Sequence, residues 1–88
     1  MKKRMVIFGG GTFSHVRPHL SLSAPAFGST ARYINKLAKK MFDMDITLLL
    51  TKMADPASFI VTNEDVRRYV DDIITDNTVK VVIFNVAL

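Results

Sequence analysis

Residues 5–11, MVIFGGG, decide the fold. Four large apolar residues with no polar alternation read as a strand buried on both faces, and three glycines at its carboxyl end let the backbone turn sharply or approach a phosphate closely. The stretch that follows, GTFSHVRPHLSLSAPAFGS over 11–29, holds two prolines, two histidines and several hydroxyl residues. It reads as a long first loop. It is not GxGxxG, since Thr12, Phe13 and Ser14 follow Gly11 and no helix starts there. It is not a P-loop either, because no Gly-Lys-Ser/Thr follows.

Beyond the loop the pattern alternates. From Ser29 the apolar positions Ala31, Ile34, Leu37, Ala38 and Met41 recur at helical spacing, with Ser29 or Thr30 as the expected cap. DITLLLT (45–51) reads as a strand and SFIV (58–61) as a short one. Thr62 and Asn63 offer a cap, and Val66, Tyr69, Val70, Ile73 and Ile74 mark a second helix face that Asp76 and Asn77 end. VKVVIFNVA (79–87) is the most continuously apolar strand. Apolar strands alternating with helices predict a single α/β domain over 1–88, a Rossmann-like three-layer fold with a parallel sheet, about four strands and two helices. In such a fold a ligand lies beyond the carboxyl ends of the strands where the strand order reverses. The last residues, Asn85 to Leu88, would then face the first loop across that crevice, provided the last strand lies beside the first.

Composition narrows the function. With 88 residues, 49% hydrophobic and 23% charged, the chain is globular, and small enough for its stability to be marginal. No cysteine is present, so thiolate metal sites and disulfides are excluded. No stretch approaches a membrane span, and the apolar run after Lys2-Lys3-Arg4 is too short for a signal peptide; a cytoplasmic protein with no membrane partner is expected. Net charge is +4, with Arg32, Lys36, Lys39 and Lys40 close together. A solvated helix face explains them, and nucleic acid is not the expected partner. The last strand is apolar on both faces with no helix after it. This predicts a homodimer there, or the remainder of a longer chain.

Candidate chemistry concentrates in the first loop. Gly9, Gly10, Gly11 and Thr12 can hold a phosphate, and Arg17 can grip one with its guanidinium fork. Ser21, Ser23 and Ser29 are further donors. His15 and His19 are four residues apart, but Pro18 lies between them and residues 1–42 contain no Asp or Glu, so no metal site is expected. No Ser/His/Asp triad can be assembled, since no acid lies nearby, and no catalytic residue is assigned.

The order of these segments resembles the nucleotide-binding ligase domain of the phosphopantothenoylcysteine synthetase family, the synthetase half of the pantothenate-metabolism flavoproteins. VRPHLSLSAPAFG (16–28) has the length of that family's VRxISNxSSGKMG loop, and DITLLLT, IVTNEDV and VKVVIFNVA follow in the family's order. The resemblance spans almost the whole chain. It implies binding of CTP or ATP, with Mg²⁺, under the long loop, and ligation of 4′-phosphopantothenate to cysteine in coenzyme A biosynthesis. Three positions depart from it. Ser21 stands where the family has its catalytic asparagine, Ala26 where it has a lysine and Pro25 where it has a glycine. The departures predict nucleotide binding with little or no ligation. A second resemblance is to the lipid-linked N-acetylglucosaminyltransferases, through Gly10, Gly11, Thr12, His15, Pro18 and Leu20 of their GGTGGHxxPxLA turn. It implies the N-terminal domain of a nucleotide-sugar glycosyltransferase. A non-enzymatic nucleotide-binding module is the remaining alternative.

Overall fold

The computed structural model describes residues 3–17, 20–24 and 26–87. Strand β1 (Arg4–Arg17) is followed by β2 (Leu20–Ala24), α1 (Ser29–Met41), β3 (Asp45–Leu50), α2 (Asn63–Ile74) and β4 (Val79–Ala87). The inner part of β1 is the centre of a three-stranded parallel sheet. It pairs with β3 on one edge, Arg4 to Gly9, and with β4 on the other, Arg4 to Gly11. The fold is α/β with a parallel sheet and two helices.

Two expectations need correction. The glycines do not open a loop. β1 runs through them for 14 residues, and from Thr12 outward it pairs antiparallel with β2, Thr12 opposite Ala24 and Phe13 opposite Ser23. Leu20-Ser21-Leu22-Ser23 alternates with a period of two, which is a strand signal, and its serines and neighbouring prolines disguised it as loop. Second, residues 58–61 are not a strand. β3 and β4 already occupy both edges of β1 as far as Gly9 and Gly11, so this segment meets β1 only beyond them. The Phe13 amide donates to the Val61 carbonyl at 3.0 Å, and a single bridge joins Phe13 to Thr62. The fourth strand is therefore the hairpin strand β2.

Met5, Val6, Ile7 and Phe8 are all buried. Full burial of such side chains is worth about 1.5–3 kcal/mol each, so this short run anchors the core. Met5 and Ile7 pack with Ala31 and Ala38 of α1, joined by Ile34, Met44, Ile46, Leu48, Leu50 and Ile83. Alternation turns Val6 and Phe8 to the other face. There the Phe8 ring lies 5.6 Å from that of Phe84, and buried Ile60 and Val66 lie outside the α1 cluster. Right-handed crossovers from β1 to β3, and from β3 back past β1 to β4, place α1 and α2 on opposite faces.

The two helices start differently. Thr62 caps α2 as expected: its hydroxyl accepts from the Asp65 amide at 3.2 Å, while the Asp65 carboxylate accepts from the Thr62 and Val61 amides at 3.1 and 3.0 Å. At α1 neither Ser29 nor Thr30 is the cap. Gly28 holds that position at φ 78°, with no side-chain hydrogen bond to the helix amides. At the other end of the sheet, Asp76 accepts from the Thr78 amide (2.9 Å) and hydroxyl (2.7 Å) and from Arg4 Nη1 (2.8 Å). This turn starts β4 level with the start of β1.

Candidate functional site

The parallel strands lie in the order β3-β1-β4, so the chain moves from β1 to one side and then crosses to the other. The order reverses between β1 and β4, and at their carboxyl ends lies a cleft of about 320 Å³. Gly10 of β1, Asn85, Val86 and Ala87 of β4, Ala26 to Gly28, and Ser29 and Thr30 of α1 line it. Each comes to the cleft for a local reason. Parallel pairing aligns Gly9 with Asn85 and Gly10 with Val86. The chain leaving β2 reaches α1 through Ala26 and Phe27, and the left-handed backbone of Gly28 turns it into the helix.

The N-terminus of α1 gives the cleft its electrostatic character. The first amides of a helix point outward without intrahelical partners and carry a partial positive charge. At α2 that charge is met inside the chain by Asp65, with Glu64 beside it, and the two amide bonds hold the Asp65 carboxyl below the usual carboxylate range. At α1 the first turn carries no acidic residue and no side-chain cap. Arg32 adds a cation there; its guanidinium donates to the carbonyls of Phe27, at 2.7 Å, and Ala54, so it also braces the cleft wall.

The glycines serve packing as well as the site. A Cβ on Gly9 would lie 2.2 Å from the Ala31 Cβ, so Gly9 is the place where α1 touches the sheet. A Cβ on Gly10 would lie 2.1 Å from Thr51 Oγ1, and Gly10 has φ 107°. Gly11 continues the strand opposite Ala87. Thr12 is buried, with its hydroxyl against Asn63 Oδ1 and, at 3.1 Å, the Ala87 carbonyl; it ties β1 to the start of α2 and the end of β4.

Of the residues singled out from sequence, Gly10, Ser29 and Asn85 thus meet at the cleft. Arg17, Ser21 and Ser23 lie on the hairpin, where Ser21 pairs with His15 and Arg17 with Leu20. Arg17 stands seven residues beyond Gly10, roughly 23 Å of extended strand. Pro18, His19, Pro25 and Leu88 lie outside the described residues. Val86 and Ala87, expected there with Asn85, also line the cleft; sequence reasoning placed Ala26 only through the resemblance and missed Phe27, Gly28 and Thr30 as cleft residues. The signal was available, since a helix starting at Ser29 after a buried parallel strand places bare amides at that strand's carboxyl end. Among the described residues no three His, Cys, Asp or Glu side chains gather as a metal site, and no helix is long and apolar enough to cross a membrane. No known protein family, characterised protein or solved structure matches this chain.

Proposed function

We propose that this is a doubly wound, Rossmann-like domain that binds the phosphate-bearing end of a nucleotide in the β1–β4 cleft. The observation that carries the reading is the bare, acid-free N-terminus of α1 opening on a cleft where the strand order reverses. The amides of Ser29 and Thr30 are the expected phosphate donors, the Gly10 backbone allows close approach, and Asn85 on the facing wall offers an amide for the remainder of the ligand. CTP and ATP, with or without Mg²⁺, are the nucleotides expected from the synthetase resemblance.

Ligation is not expected. Ala26, which takes the place of the resembled family's lysine, lines the cleft with a methyl group and no charge. Losing one donor aimed at developing charge costs about a hundredfold or more in rate. Titration calorimetry with CTP, ATP, UTP and a nucleotide-sugar tests the binding; no heat from any of them at millimolar concentration removes the proposal. In parallel, CTP with 4′-phosphopantothenate and cysteine is expected to release little or no pyrophosphate. Robust release would return the chain to the ligases.

A further inference from the structure

Among the described residues α1 packs chiefly over β1 and β3, and on the same face of β4 Ile83 is half-buried against the α1 cluster while Val81 is exposed. Residues 31, 34 and 38 of α1 face the sheet. On either side of that face the helix surface has a different chemistry. Arg32 and Lys39 lie toward one flank, Lys36 and Lys40 run along the outer crest, and Tyr33, Leu37 and Met41, four residues apart, form a row on the other flank. Arg32 reaches the Ala54 carbonyl, in the segment that follows β3, so the basic flank is the β3 side. The apolar row therefore looks over β4. Parallel register puts Val81 and Ile83 on the face shared by Met5 and Ile7, and these two form the floor beneath that row. Met41 is 70% exposed, Tyr33 63%, Leu37 39% and Val81 37%. Among the described residues the result is a half-open apolar groove with α1 as its wall.

Two features say what fits it. A helix laid beside α1 at the usual 8–10 Å spacing sits about two strand widths across, directly over β4. The groove's upper border is cationic. Lys36 and Lys40 are exposed along the outer side of α1, α1 carries no acid, and residues 1–42 hold eight basic residues and no acidic one. We propose that this groove docks an amphipathic partner helix of roughly three to four turns, with an apolar face toward Val81, Ile83 and Leu37 and carboxylates along the border that meets Lys36 and Lys40.

Two synthetic peptides of about 14 residues test this. Both carry leucines on one face; one has glutamates along the borders, the other lysines. Fluorescence anisotropy is expected to show the glutamate peptide binding at least ten times more tightly. Lys36→Glu with Lys40→Glu, both exposed, reverses the preference, with circular dichroism confirming the fold because Lys40 lies in the last turn of α1. Val81→Asp, with circular dichroism confirming the fold, abolishes binding. Equal affinities, binding of neither peptide, or indifference to the charge reversal overturns the proposal. So does a dimer in sedimentation that Leu37→Asp converts to monomer, since a second copy would then own the groove. Binding to anionic phospholipid vesicles that removes the peptide preference overturns it as well.

Discussion

At Gly9 an added methyl has nowhere to go, because the obstacle is the Cβ of Ala31 on a helix already seated against the sheet. Gly9→Ala forces α1 outward, and overpacking of this kind costs about 1–3 kcal/mol. Urea unfolding is expected to show that loss with an unchanged m-value. Ala31→Gly removes the obstacle while costing roughly 1 kcal/mol in helix propensity. The double variant should therefore be more stable than the two single losses summed, and strict additivity would mean that the contact is not what holds this position small. Gly10 combines two constraints, a left-handed φ of 107° and the nearby Thr51 hydroxyl. The glycine run was legible in sequence as a backbone requirement. Its partners were not, because Ala31 and Thr51 are distant in the chain and identical glycines suit a tight turn, a phosphate or a close-packed helix equally well.

The two helices make opposite predictions about their N-termini. At α2 the box is closed, so Thr62→Ala should cost about 1 kcal/mol. Asp65 is held below the usual carboxylate range first by the Thr62 amide and then by that of Val61; Asp76 is lowered first by the Thr78 hydroxyl, then by its amide, with Arg4 contributing less. In the folded chain both carboxyls therefore hold their protons more weakly than in the unfolded chain. As pH falls, the unfolded state takes up protons first, so the stability these groups contribute is present at neutral pH and lost on acidification. The urea midpoint should be flat near neutrality and decline below about pH 5, with a shallower decline in Asp65→Asn. At α1 the end is bare. Thr30→Glu places a carboxylate where the phosphate is proposed to sit, and calorimetry should show nucleotide affinity at least tenfold weaker while thermal stability is kept or slightly raised by the acid at the helix N-terminus. Equal affinity would move the phosphate away from α1. The Thr62 cap was visible from sequence because a hydroxyl three residues before an acid is a local device. Gly28 as the α1 cap was not, since Ser29 and Thr30 have the better intrinsic preference and the path of the chain out of β2 overrides it.

For the whole molecule, a nucleotide that binds only the folded state stabilises it by mass action, about 2.7 kcal/mol at a hundred times its dissociation constant. In a domain of this size that should raise Tm by more than about 10 °C, and a scan without any shift at saturating CTP or ATP would contradict a site in the folded cleft. Local pattern alone determined much of this protein: both helices, the β3 and β4 strands, the buried run Met5–Phe8 and the α/β class. Each of these rests on periodicity over neighbouring residues, which the chain carries within itself. Tertiary structure decided the rest. The serines of Leu20–Ser23 became a strand because the outer half of β1 offered them an open edge, and Ser58–Val61 lost that role because the inner edges were already filled. It also separated Gly10 and Asn85, which share a cleft, from Arg17, which rides out on the hairpin. A strand's partner depends on which edges remain free once the sheet has formed, and a site depends on which strand ends become neighbours; both are properties of the assembled sheet, and no local stretch encodes them.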